Sequence, residues 1–250
     1  SVITPLTKDD ISHLPLNDLI VRMDSIFRFY AEERYGRDWI NISHYFDHRP
    51  TVTKVISSKH VQQMPAEKQR MVCHLTFNCL LQIEYTTFTA GAANHYIYGS
   101  GYNEKHSWSS PSLQIRNAAL MQFGIVSSRI AMECFMELVH YLGTGQRINS
   151  KKSTFKAFKK WLQNTENPFS YFATHILRAF HFDREHRTPE VHASSQRSGA
   201  VLCMKPPSSE EQNSNMELMN IMHNIWGPLL EVLDTGKAHS MYRSVEDFEW

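Results

Sequence analysis

Two long stretches of this chain carry apolar side chains at helical spacing with no proline inside them, and that pattern limits the folds open to it. From Ala66 to about Tyr98, Val72, Leu75, Cys79 and Ile83 recur three and four residues apart, which places them on one face of a long amphipathic helix. A polar, Gly/Ser-rich segment, GSGYNEKHSWSS, follows. Ser110 and Pro111 then give an N-cap and a first-turn proline to a second long helix. Its expected buried side is Leu113, Leu120, Phe123, Ile130, Cys134, Leu138 and Tyr141, and its expected stop is Gly143. Two such helices must bury their apolar faces against each other or against further helices.

The rest of the chain supplies those helices. Residues 17–35 place Ile20, Met23, Phe27 and Tyr30 on one face, with Asn17 as N-cap and Gly36 as stop. TVTKVIS, Thr51 to Ser57, is rich enough in β-branched residues to suggest a short strand or an extended connection. KKSTFKAFKKWLQ reads as a short helix carrying Lys151, Lys152, Lys156, Lys159 and Lys160, a solvated face by default and otherwise a phosphate track. Asn167-Pro168 restarts a helix through FSYFATHILRAF, and Lys205 to Asn215 has the composition of a loop. A last helix from Met216 to Leu233 carries Leu218, Ile221, Ile225, Leu229 and Val232 before Gly236, and Gly227-Pro228 should bend it. No repeat and no alternation of strands with helices is visible, so the expected class is all-α, an up-and-down helical bundle with an N-terminal helical extension. The organisation that follows is an extension over 1–65, a bundle over 66–236 and a tail over 237–250.

Composition narrows the function classes. Lys and Arg number 26 against 25 Asp and Glu, so any site for a polyanion must be local and not a property of the whole surface. The cysteines Cys73, Cys79, Cys134 and Cys203 form no CxxC pair, and three of them fall in apolar helical segments, which suits buried free thiols in a reducing cytosol. No apolar run reaches the ~18 residues of a membrane span, and no basic-then-apolar leader is visible. A soluble, cytoplasmic protein without a membrane partner is expected.

One short segment concentrates reactive side chains. In FDREHRTPEVHASSQR, Phe182 to Arg197, Thr188-Pro189-Glu190 reads as a helix start: a hydroxyl cap, a proline at the first helical position and an acid in the first turn. His192 falls in that turn and Arg187 just outside it, so guanidinium and imidazole converge where free backbone N–H groups favour an anion. These parts suit metal-independent RNA cleavage, which needs proton transfer at the ribose 2′-hydroxyl and positive charge on the developing phosphorane. His192 can move the proton, and Arg187 can hold the phosphate by two hydrogen bonds. The bland alternative is a solvated helix cap.

Arg187-Thr-Pro-Glu-Val-His192 entering the last helical part of such a bundle resembles the HEPN superfamily (higher eukaryotes and prokaryotes nucleotide-binding), whose ribonucleases carry an Arg, four to six residues and a His. RIAMECFMELVHYL also looks like a HEPN core helix. The resemblance covers roughly Ala66 to Leu233, and residues 1–65 have no counterpart in it. It implies that Arg187 and His192 are catalytic, that neither metal nor cofactor takes part, and that two copies form a homodimer with both motifs facing one cleft. It also implies RNA as a partner, with an inhibitory antitoxin or a defence-system protein as a further one, since such proteins include toxins and antiviral effectors. Two features depart from the pattern. Ser194 stands where relatives controlled by nucleotide transfer have a tyrosine, and residues 198–215 interrupt the final helix, as a lid over the cleft or as an ornament.

Flanking residues complete the candidate set. Arg184, His186 and Arg197 could bind neighbouring phosphates, and Glu190 could orient an imidazole or only favour the helix N-terminus. A rival reading starts from Glu137-Leu-Val-His140, whose Glu-x-x-His spacing occurs in di-iron bundles, but no second such pair is present. His44 and His48, with Asp47 between them, could hold a metal at helical spacing but lack a third ligand. The other rivals are a non-catalytic HEPN-like module that binds RNA, nucleotide or protein, and a structural module anchored by Trp108, Trp161 and Trp226.

Overall fold

A computed structural model of the chain describes residues 4–35, 49–98, 111–148, 153–163, 167–170 and 225–237. The regular structure of these residues is helical: α1 (Lys8–His13), α2 (Leu16–Tyr35), α3 (Arg49–Ser57), α4 (Lys59–Gln62), α5 (Ala66–Tyr98), α6 (Pro111–Thr144), α7 (Thr154–Leu162) and α8 (Trp226–Thr235). The all-α class follows directly. No described helix is long and apolar enough to cross a membrane.

The core is built on the α5–α6 pair. Lys68 of α5 lies beside Gly145 at the end of α6, while Thr86 further along α5 meets Ser127 further back in α6, so the helices run antiparallel. Val72, Cys79, Leu80 and Ile83 from α5 meet Ala131, Phe135, Leu138 and Leu142 from α6 in one buried cluster. Each apolar side chain removed from water there contributes ~1.5–3 kcal/mol before the entropy of ordering is counted. Leu19 and Met23 of α2, Val52, Val55 and Ile56 of α3, and Val61 of α4 belong to the same cluster, as do Trp226, Leu229 and Val232 of α8.

α1 is small and held by polar contacts. Thr7 and Asp10 form a reciprocal cap: the Thr7 N–H donates to Asp10 Oδ2 at 2.9 Å and the Asp10 N–H to Thr7 Oγ1 at 3.0 Å. Arg22 of α2 pairs with the same carboxylate at 3.0 Å. From α5, Arg70 donates to the carbonyls of Ile11 and Leu14 and so ties the end of α1 to the long helix.

Several expectations are corrected. Thr51 to Ser57 is helix, not strand, because Thr51, Val52, Val55 and Ile56 fall one helical turn apart and bury together, an arrangement alternating backbone could not give. The β-branched penalty of a few tenths of a kcal/mol per residue is outweighed by that burial. Pro50, in the first turn of α3, is the start signal that the β-branched pattern hides. Asn17 lies inside the first turn of α2 instead of capping it, and the carbonyl of Pro15 accepts the first helical bond, from Leu19. On α6, Phe123 and Ile130 are exposed, whereas Leu138 and Tyr141 are buried as the spacing predicts. Gly145, not Gly143, takes the left-handed conformation that ends α6, at φ +67°.

Candidate functional site

Arg187 and His192, the expected catalytic pair, lie outside the described residues, and so do Arg184, His186, Glu190 and Arg197. The same holds for Lys151, Lys152, His44, Asp47, His48, Ser194, Trp108 and the 198–215 interruption. What is described is the helical frame and a group of polar side chains where α5, the end of α6 and the turn after α6 come together.

That turn is fastened by the side chains that raised a metal reading. Glu137 Oε1 accepts from Arg147 Nε at 2.6 Å and from the Ile148 N–H at 3.3 Å. His140 Nδ1 donates to the Gln146 carbonyl at 3.0 Å, and its ring stacks edge-on against Trp161 with centroids 5.2 Å apart. Thr144 closes the turn, donating to the His140 carbonyl at 2.8 Å and accepting from the Gln146 N–H at 3.1 Å. Glu137 and His140 therefore hold residues 144–148 to α6, a structural use of both side chains. Among the described residues no three His, Cys, Asp or Glu side chains gather as a metal ion would need.

Beside this turn, α5 places the half-buried His74. The Asn78 amide donates to His74 Nε2 at 3.2 Å, which leaves the ring proton on Nδ1, and Nδ1 is buried without a hydrogen-bond partner. Burial, and then the nearby Arg147 guanidinium, push the imidazole below its usual range, so it is neutral at pH 7. Cys134 on α6 lies near the same charges. Burial, with Glu133 and Glu137 adding to it, raises its thiol to about 11. Such a thiol is not a nucleophile at neutral pH. Cys73 is raised to about 12, chiefly by burial, and burial also raises Cys79 well above the usual thiol range. All three are free, Cys73 and Cys79 buried as expected and Cys134 half-buried.

A second polar feature lies deeper, between α5 and α6. Thr86 Oγ1 and Ser127 Oγ are 3.0 Å apart, and both residues are buried. Thr86 also donates to the Gln82 carbonyl at 3.1 Å and Ser127 to the Gly124 carbonyl at 3.1 Å. Hydroxyls that return to their own helix satisfy themselves inside a core and bring two helices close without needing water. These bonds pack the pair.

α7 presents Lys156 and Lys160 to solvent while Phe158 and Leu162 are buried, the amphipathic pattern of a solvated lysine face. Trp226 is wholly buried, 6.1 Å from Phe135 in an edge-on pair, and Trp161 packs with Phe158 and Phe169. Both tryptophans are packing residues. Sequence reasoning did not single out His74 or Arg147, since neither sits in a motif. Their meeting depends on the turn that Glu137 fixes. The chain matches no protein-family description, no curated protein and no solved structure.

Proposed function

We propose that the protein is a metal-independent endoribonuclease of the HEPN type that works as a twofold homodimer on RNA. The observation that carries this reading is the Arg187-Thr-Pro-Glu-Val-His192 segment, with the sequence grammar of a helix start, in a chain whose core is a long antiparallel helix pair. In this reading His192 removes the proton of a ribose 2′-hydroxyl, and the oxygen attacks the adjacent phosphorus. Arg187 holds the phosphate and balances the charge that builds on its oxygens. The bond to the 5′-oxygen breaks, that oxygen takes a proton from an acid in the cleft, and the products end in a cyclic phosphate and a 5′-hydroxyl. The second imidazole brought by twofold pairing serves as that acid. Arg184, His186 and Arg197 bind neighbouring phosphates, and Glu190 supports the helix start. With a net charge of only +1, a single copy has little general attraction for RNA, and pairing doubles the local positive charge at the cleft. A toxin or antiviral effector, held in check by an inhibitory protein, is the biological role that fits such an activity.

The test is cleavage of single-stranded RNA by the purified chain in EDTA, with analysis of the ends. Cyclic phosphate ends that disappear in His192→Ala, with the helical circular dichroism unchanged, support the reading. Inhibition by EDTA favours a metal enzyme. RNA binding without products favours a non-catalytic HEPN-like module.

A further inference from the structure

Between Glu137 and Glu166 the sequence holds no Asp or Glu, yet Arg147, Lys151, Lys152, Lys156, Lys159 and Lys160 all fall in that interval. The net charge of the whole chain is only +1, so the rest of it is acidic on balance and this excess is local. Soluble surfaces ordinarily mix both signs, whereas a single-sign stretch makes a field that concentrates ligands of the opposite charge.

The fold turns part of that stretch outward. In α7, Phe158 and Leu162 are buried, and Trp161 packs on His140 of α6 and on Phe169. Lys156 and Lys160 are exposed, one helical turn from each other and roughly 6 Å apart along the axis. Among the described residues neither forms an ion pair. Two more cations stand at this end of α6. The Lys68 ammonium of α5 lies beside Gly145. Arg147 gives its Nε to Glu137, but its side chain is 56% exposed and its terminal nitrogens make no bond among the described residues. That pairing also neutralises Glu137. Glu67, next to Lys68, offsets part of the charge on α5, which leaves α7 as the stronger half of the surface.

The side chains select among anionic partners. A basic amphipathic helix enters a membrane surface through a free apolar face, and the apolar face of α7 is already packed into the core. Carboxylate groups of a protein partner are matched best by the paired N–H groups of arginine, and the exposed cations of α7 are lysines. A lysine is a point charge on a flexible stem, which suits the repeated charges of a phosphodiester backbone, where no fixed orientation is required.

We propose that the surface formed by Lys156 and Lys160 of α7, with Lys68 and Arg147 at the end of α6, is a docking site for the backbone of an RNA strand, independent of its sequence. It rests on the nuclease reading in taking RNA as the polyanion. Contacts of this kind hold and orient a strand without reading its bases.

The test is fluorescence anisotropy of the full chain with a 2′-O-methyl RNA oligonucleotide, which lacks the hydroxyl needed for cleavage, so that binding is read apart from cutting. Lys156→Gln with Lys160→Gln should weaken binding at least about tenfold near 0.1 M salt and lower the slope of log affinity on log salt by ~0.7 for each lysine. Lys156→Arg with Lys160→Arg keeps the charge and should bind as wild type does. Lys8→Gln with Lys54→Gln removes the same charge outside this surface and should change binding little. An unchanged affinity in the Lys156/Lys160 glutamine variant overturns the surface, and so does an equal loss in the Lys8/Lys54 variant, which would mean attraction by the whole molecule. Failure of the arginine variant to bind overturns the backbone-charge account. Lysine-dependent binding to phosphatidylserine vesicles with none to the oligonucleotide overturns RNA as the occupant. Lysine-dependent binding of the oligonucleotide by a chain that leaves ordinary RNA uncut overturns the nuclease reading and upholds the surface, whereas cutting that survives in a glutamine variant of unchanged affinity overturns the surface alone.

Discussion

His60 Nε2 donates to the carbonyl oxygen of Leu142 at 2.6 Å, joining the short helix α4 to the last turn of α6. The bond answers a general difficulty, because the last carbonyls of any helix lack an intrahelical donor. The His60 ring also meets Phe169 edge-on at 6.2 Å, so it couples α4, α6 and the segment after α7. Removing it leaves a partly buried carbonyl without its donor and opens a gap beside Phe169. His60→Ala should therefore cost about 1–3 kcal/mol in urea unfolding, with the slope on denaturant unchanged. A loss within ±0.5 kcal/mol would mean that water replaces the bond at no cost.

Gly143 and Gly227 should respond unequally to the same substitution. The Trp161 ring lies against the Cα of Gly143, where an added Cβ would overlap it, and the ring is held in turn by Phe158 and Phe169. Around Gly227, in the first turn of α8, nothing beyond its chain neighbours lies within 4 Å of an added Cβ, and the neighbour that crowds it is Pro228. Gly143→Ala should destabilise by about 1–3 kcal/mol through displacement of the ring, despite the better helix propensity of alanine. Gly227→Ala should stay within about ±1 kcal/mol of wild type, since the narrower unfolded ensemble is set against crowding by Pro228. Thermal melts of the two variants beside wild type check the contrast.

These contacts mark where the sequence could be read. Helix spacing located α5 and α6 because Val72, Leu75, Cys79 and Ile83 repeat along one face and no proline interrupts them. It failed at Thr51 to Ser57, where local β-branching was decided by burial against distant helices, and at Phe123 and Ile130. There the apolar line is real, yet it faces away from the core, and periodicity cannot say which of two apolar faces turns inward. The Glu137–Arg147 bond was hidden for another reason, since a turn sets it and no helical spacing does. Arg187 and His192 were legible as chemistry from the sequence alone, but they lie outside the described residues.

Stability should fall below neutral pH in part because of His74. Its imidazole is held below the ordinary histidine value of 6.5 by burial and by Arg147. As pH drops through about 6.5, the unfolded chain binds a proton that the folded ring refuses, so each step favours unfolding. The sign is that of a depressed base: stability rises with pH up to that value and then levels off. His74→Gln should flatten the pH dependence of the urea midpoint below pH 6.5 relative to wild type. Equal slopes for the two proteins would show that His74 titrates alike folded and unfolded.

Cysteine reactivity offers an independent check on how α5 packs against α6. A thiol reacts through its thiolate, and Cys134, raised to about 11 by burial and by Glu133 and Glu137, has little thiolate at pH 8. Cys73, raised to about 12, has less still, and Cys79 is fully buried as well as raised. Iodoacetamide should therefore label Cys134 at least about a hundredfold more slowly in the folded chain than in urea, given an ordinary thiol near 8.5. Cys73 and Cys79 should be slower again, because access adds to the shortage of thiolate. Peptide mapping by mass spectrometry assigns each rate to its residue. A Cys134 that reacts as fast in buffer as in urea would mean that α5 does not cover that side of α6. The shared buried cluster of the two helices would then be wrong at its centre.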